Sequence, residues 1–511
     1  MESSSPHADL PPPSRVPAVR IHATGALRPS GDYVLYWMTA SRRARSSFAL
    51  ERAVELCRTL GKPLVVLEPL RAGYPWASDR IHRFVIDGMH DNARAFEARG
   101  VTYVPYVEPR HGEGRGLLER AAEHAAAVVA DDSPMFFLPR MRAAALPRLG
   151  VRVESVDDAG LVPLRASSAT YPTAYAFRRF AQRCLAEQLF HAPLPDPLDG
   201  TALPRLASLP AAFAAYPRAS RELLERKTDL SAIAIDHAVG PVALRGGSEA
   251  ARARLAEFVR KRLEKYGELR SHPDADASSG LSPYLHFGHL SPYEVLDALA
   301  RNEGWTPAKL GTERAGKRDG FWGMSATASA FLDELVTWRE LGWHQAAKDP
   351  LYDRFEGVPE WARASLRAHE ADRRPALHTR AELTEARTSD RVWNAAQRQL
   401  TEEGIVHNYL RMVWGKRPLE WHRTAEETWD TLVDLNNRYA LDGRDPSSYT
   451  GIAWCFGRYD RPWGPERPIF GLVRYMSSDN TVKKLDLERY LDRFGRPRAG
   501  SRGAQGSLFG A

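Results

Sequence analysis

Apolar positions in the first third of the chain come as short solid blocks separated by longer stretches of mixed character. The blocks are Tyr33 to Met38, Leu64 to Leu67, Val101 to Val107, Ala127 to Ala130 and Val151 to Val156. Runs this short and this uniformly apolar predict strands buried on both faces. Between them, Ser46 to Leu60, Ser78 to Ala98 and Gly116 to Ala126 space their apolar residues as helices with one buried side do. Strand and helix in alternation predict a Rossmann-like α/β domain, a parallel sheet covered by helices. Ligands of such sheets sit beyond the carboxyl ends of strands, so the loops after Met38, Leu67 and Ala130 are the candidates.

That domain is expected over residues 29–165, behind a Ser- and Pro-rich disordered tail at 1–28. Residues 166–247 are rich in Pro and Ala and weakly periodic, and read as a long interdomain connection with some helix. From 248 to 495 the pattern turns to nearly continuous helix, with segments at Glu249 to Tyr266, Pro292 to Asn302, Ala326 to Trp343, Asp390 to Gly404 and Ile405 to Trp421. The second domain is therefore all-helical. A Gly/Ser-rich disordered tail is expected at 496–511.

Composition narrows the class. The 511 residues are 43% hydrophobic, and no apolar run approaches the twenty or so needed to span a bilayer, so no membrane partner is expected. Three scattered cysteines make neither a disulfide framework nor a metal site. With no secretory leader pattern, the expected compartment is reducing and intracellular. The net charge of +7 suits a polyanionic partner without proving one. Most of the 13 tryptophans fall between Trp305 and Trp463, a density that raises electron transfer or base stacking beside plain core packing.

Two glycine motifs mislead. Gly112-Glu113-Gly114-Arg115-Gly116 lacks the third glycine spacing of a dinucleotide loop, and Gly311 to Lys317 is followed by Arg318 where a P-loop needs Ser or Thr. Four other stretches carry candidate chemistry. Ser278-Ser279-Gly280-Leu281-Ser282 sets hydroxyls and a glycine ahead of a helix, a phosphate cradle or simply a cap. Glu334 and Trp338 are i,i+4 neighbours, an acid beside an indole. Trp414 and Trp421 lie seven apart, two turns along one predicted helix, with Trp393 on the helix before. From spacing alone these are a Trp-rich seam or an electron wire. The stretch from Leu435 to Trp463 is polar, glycine-bearing, aromatic and aperiodic, which predicts a functional loop; Arg458 and Arg461 in it, with Arg474, Lys483 and Lys484 beyond, add basic charge beside Trp454 and Trp463, as fits contacts to phosphates and unstacked bases.

Together these stretches resemble the class II cyclobutane pyrimidine dimer photolyases. The likeness runs from about Asp32 to Leu491 and rests on Tyr36-Trp37-Met38, Tyr74 to Arg80, Phe136 to Met141, the LSPYLHFG run from Leu281, the WNAAQ run from Trp393, the ALDGRDP run from Ala440 and Arg467 to Ser477. The resemblance implies an antenna α/β domain and a helical FAD domain. It implies light-dependent repair, in which reduced FAD passes an electron to a dimer flipped out of double-stranded DNA. Carried onto this chain, Tyr266, Ser278, Ser279, Gly280, Leu281, Ser282 and Arg339 would hold FAD, with Arg411 and Asp442 paired beside its ring and Asn436 facing N5. Trp414, Trp393 and Trp421 would be the proximal, middle and distal members of a photoreduction relay. Glu334 and Met412 would touch the dimer, Trp338 and Trp454 would wedge its bases, and Arg461 and Trp463 would fill the gap in the duplex. A second chromophore, a deazaflavin, folate or FMN, is expected in the α/β domain. The protein is expected to be a monomer, cytoplasmic and nucleoid-associated, or nuclear in a eukaryote. The main alternative is a cryptochrome-like blue-light sensor; an electron-transfer flavoprotein is a more distant one.

Overall fold

The computed structural model describes residues 14–496. Six strands form one sheet in the order β1-β6-β5-β2-β3-β4, with β1 Ile21–Thr24, β2 Tyr33–Trp37, β3 Leu64–Leu70, β4 Thr102–Val107, β5 Ala125–Asp131 and β6 Val153–Val156. All neighbours are parallel except β1, which runs antiparallel to β6 along the edge. Every residue of β2 and of β5 is buried, as continuous apolar runs require when helices cover both faces. Helices Phe48–Leu60, Asp79–Ala98 and Leu117–Glu123 supply that cover.

The tail expected over 1–28 needs correcting. Residues 1–13 lie outside the described residues, but Ile21–Thr24 is a strand, paired from Ile21↔Val156 to Thr24↔Val153. The tail expected at 496–511 lies, beyond Arg496, outside the described residues. Between the domains, helix Ala174–Gln188 and the buried side chains of Phe213, Tyr216, Leu224 and Ile233 pack the long connection against the rest.

After Ser248 the chain is helical, and the helices around Arg391–Glu403, Asn408–Lys416, Ala425–Tyr439 and Pro446–Cys455 enclose a second hydrophobic core that contains Trp393, Trp414 and Trp421. No helix among the described residues is long and apolar enough to cross a membrane. Buried polar contacts join the two domains. Glu340 accepts the backbone N–H groups of Leu161 (2.8 Å) and Val162 (2.9 Å), and Arg80 donates to the carbonyls of Leu400, Thr401 and Tyr439. A Cβ at Gly160 would fall 2.5 Å from the Glu340 carboxyl carbon, so only glycine lets this carboxylate reach the loop. Burial pushes the Glu340 carboxyl up to about 7.

Two local expectations also change. The stretch from Leu435 to Trp463 is not one long loop, because helix Ala425–Tyr439 runs into it and Pro446–Cys455 is helical. Trp421 does not share a helix with Trp414: the helix ends at Lys416, and Arg417–Glu420 is a 3-10 turn carrying Pro418. Proline lacks the N–H that a continuing helix would need there.

Candidate active site

The indoles are nonetheless brought together, with Trp393 in the middle. Its ring lies parallel to that of Trp414 (6.5 Å between centroids, 4° between planes) and edge-on to that of Trp421 (5.2 Å, 86°). All three are buried. Pro418 leaves the Trp414 carbonyl without its helical partner, and the Trp393 indole N–H supplies a donor instead, at 2.9 Å. The Trp414 indole donates to Gln397 Oε1, also at 2.9 Å. Each of these bonds fixes a ring orientation that packing alone would leave freer.

The helix bearing Trp414 also carries Arg411 and Met412. Arg411 donates both to Asp442 Oδ1 (2.9 Å) and to Oδ2 (3.2 Å) from one nitrogen. Asp442 stands in the tight turn between helices Ala425–Tyr439 and Pro446–Cys455. A Cβ at Gly443 would fall 2.6 Å from the Asn436 carbonyl oxygen, so that turn depends on glycine to fold back on the helix end. Asn436, buried on the last turn of Ala425–Tyr439, donates from Nδ2 to Ser448 Oγ (2.8 Å) and to Asn437 Oδ1 (3.2 Å).

Met412, half-buried, sits where two helices nearly touch. A Cβ at Gly415 would lie 2.5 Å from Cys455 Sγ, and the buried Lys416 ammonium donates to the Cys455 carbonyl at 2.9 Å. Burial brings Lys416 down to about 8. This contact holds Trp454 opposite Trp338, and the two rings stack at 4.6 Å and 14°. Trp338 closes a π-helical turn, Asp333–Trp338, that also presents Glu334. Glu334 is ion-paired with Arg270. Burial raises its carboxyl above the usual range, and the guanidinium pulls it back. Arg270 also covers the Tyr266 ring (5.7 Å), which is packed edge-on against Phe258 and Phe331.

Ser278, Ser279, Gly280 and Leu281 lead into the short helix Ser282–His286, with Gly280 at φ +67°. Arg254 reaches this segment from another helix, donating to the carbonyls of Ser279 (2.7 Å) and Ser278 (3.4 Å). Arg339 turns toward the α/β domain, donating to the Ala159 carbonyl (3.0 Å) with its guanidinium over Trp343. It also lines a cavity with Leu285 and His286, at the end of the run that begins at Ser278. Arg461 and Trp463 lie on the exposed segment after Cys455. Trp463 is 38% exposed, yet Arg461 and Arg474 both cover its ring (5.2 and 5.0 Å) and Asp460 Oδ1 accepts its N–H at 2.9 Å.

A cavity opens beyond β2, β3 and β5, where strand order predicted a ligand, walled by Tyr74, Phe136 and Phe137 with Arg42 and Arg71, and closed on the helical-domain side by His286, Phe287 and Arg444. The first glycine decoy is a turn in which Glu108 takes the amides of Gly112 and Gly114, and the second is irregular chain. Sequence reading missed Arg254, Arg270, Asn437 and Arg444. For Arg270 no local signal existed, since its partner lies 64 positions away; Asn437 and Arg444 stood inside motifs already singled out.

No family model matches the chain. It is 34% identical over 470 residues to a deoxyribodipyrimidine photo-lyase of Methanothermobacter thermautotrophicus, covering 91% of this chain and 94% of that one. It is 31% identical over 489 residues to a protein of the same name from Oryza sativa, covering 93% and 89%. In fold it resembles a bacterial class III photolyase from Agrobacterium tumefaciens, with a TM-score of 0.63 at 19% identity over 91% of this chain and 86% of that one. With two relatives above 30% identity along nearly their whole lengths, and an α/β sheet joined to a tryptophan-bearing helical domain, the chain belongs to the deoxyribodipyrimidine photo-lyase family.

Proposed function

We propose that this enzyme repairs cyclobutane pyrimidine dimers by light-driven electron transfer from reduced FAD held in the helical domain. The observation that carries the reading is the line of three touching indoles, Trp421–Trp393–Trp414, which leads to the helix bearing Arg411 and Met412. Touching rings permit stepwise electron transfer, and the buried, hydrogen-bonded core around them excludes water.

The residues fit a flavin. Asn436 has both amide hydrogens bound within the protein, so its Oδ1 is left over as an acceptor for a protonated N5. Arg411, oriented by its ion pair with Asp442, would set its guanidinium beside the ring system. Gly280, Ser278, Ser279, Leu281 and Ser282, with Arg254 close by, suit a pyrophosphate, and Tyr266 packs nearby. Reduced FAD supplies the photo-excited electron; the chain's own residues bind, orient and insulate.

On the substrate side, Trp338 and Trp454 would part to take the flipped dimer between them, with Met412 against its edge. Glu334 would trade Arg270 for the dimer and, its carboxyl pushed up by burial, offer a proton to a carbonyl that gains charge. Trp463, held by Asp460 and flanked by Arg461 and Arg474, would occupy the gap in the duplex while the arginines meet phosphates. The cavity where the α/β domain meets the helical domain, aromatic with three arginines, suits a planar anionic second chromophore such as a deazaflavin, folate or FMN. The test is a thymine-dimer oligonucleotide incubated with the purified, reduced protein in blue light and in darkness. Repair only in light is expected; no repair under either condition overturns the reading.

A further inference from the structure

The amide of Asn436 must present a particular atom to whatever it faces, and the structure shows what decides which. Oxygen and nitrogen of an amide are interchangeable in shape, so only partners set the orientation. Ser448 decides nothing, because a hydroxyl can donate or accept. Asn437 does decide. Its Oδ1 accepts the backbone N–H of Arg444 at 2.9 Å, and a backbone N–H can only donate. Its Nδ2 donates to Tyr449 Oη at 2.8 Å. The Asn437 oxygen therefore faces Asn436, whose contacting atom at 3.2 Å has to be the donor, Nδ2. Turning the Asn436 amide over would set two oxygens against each other.

The turn that supplies this N–H is itself fixed. Arg444 adopts φ +66°, and its buried guanidinium donates to the Asn437 carbonyl at 2.5 Å, tying both ends of the loop to one residue. Asn437 is fully buried. Among the described residues no donor reaches Asn436 Oδ1, which is the atom left for a ligand.

We infer that Asn437 is a positioning residue that locks Asn436 with its oxygen outward, so that the site prefers a ligand nitrogen carrying a proton. The inference rests on the proposed reading that Asn436 faces flavin N5. Oxidised N5 is an acceptor and meets the locked oxygen unfavourably, whereas reduced N5–H donates to it. Without the lock the amide turns over and serves both states. Asn437 thus sets a redox preference without touching the cofactor.

The test is the midpoint potential of bound FAD, measured by spectroelectrochemistry on the full FAD-loaded chain. Asn437→Leu is expected to lower it by about 30 mV, a tenfold loss of preference for the reduced form. Ser448→Ala, which removes the partner that does not decide the orientation and adds no charge, is expected to keep the parent potential, and remains informative where the leucine variant fails to fold. Asn436→Ala separates the two layers. If it leaves the potential unchanged, the placement of Asn436 at N5 falls and the lock with it. If it shifts the potential while Asn437→Leu does not, or if Ser448→Ala shifts it as Asn436→Ala does, the lock alone is overturned.

Discussion

Replacing Trp393 by phenylalanine removes the middle indole while leaving an aromatic ring in the core. The Trp393 N–H is the donor to the Trp414 carbonyl that Pro418 abandons, so the variant leaves a buried carbonyl bare. That costs about 1–3 kcal/mol. The space vacated by the smaller ring, in a site with no exposure, adds about 1 kcal/mol. Near 3 kcal/mol in total, the melting temperature should fall by about 6–12 °C. The functional loss should be disproportionate to this. Trp414 and Trp421 each touch Trp393, so the variant opens a gap in the middle of the line. Light-driven reduction of oxidised flavin should drop by more than tenfold, followed by flavin absorbance in the presence of an external thiol. Repair of a thymine-dimer oligonucleotide by chemically reduced protein should persist at temperatures where the variant is folded. Photoreduction at the parent rate would refute the relay; loss of repair in folded, pre-reduced variant would show that Trp393 does more than conduct.

The Glu340 carboxyl titrates near 7 in the folded chain against an ordinary 4.5. A raised acid contributes its stability below the unfolded pKa and loses it as pH climbs through the folded one, so unfolding free energy should decline by about 3 kcal/mol between pH 4.5 and pH 8 from this group. Glu340→Gln should flatten that part of the denaturant-derived profile; an unaltered slope contradicts the assignment. Glu334→Ala should cut the quantum yield of repair several-fold while flavin absorbance per protein stays at the parent level, and full repair would remove Glu334 from the mechanism. Trp463→Ala, at a partly exposed position, should leave the melting temperature within about 2 °C. It should weaken binding to dimer-containing duplex by about tenfold in a fluorescence titration, as expected for loss of one stacking ring.

The sheet was legible because its central strands are buried on both faces, which writes them as solid apolar blocks such as Tyr33 to Trp37. β1 was not, since Ile21–Thr24 is a four-residue edge strand with only Ile21 turned partly inward. Helix Pro446–Cys455 was hidden for the opposite reason: it is buried on nearly every side, so no amphipathic period remains to be read. The tryptophans were found by type and order, but their geometry was misjudged, because the missing N–H of Pro418 ends the helix before Trp421. Of the parts of the site that sequence did not yield, Arg270 on Glu334 is a pairing set by the tertiary fold, while the Asn437–Arg444 contact is local but depends on the turn's backbone, with Arg444 at φ +66°, which residue type does not announce.

The most direct test of the account is the visible absorption spectrum of the full chain purified in darkness, recorded before and during blue illumination with a thiol donor. Flavin bands should bleach in light in the parent and persist in Trp414→Phe. A colourless protein that takes up no added FAD, or bands that bleach equally in both, would contradict it.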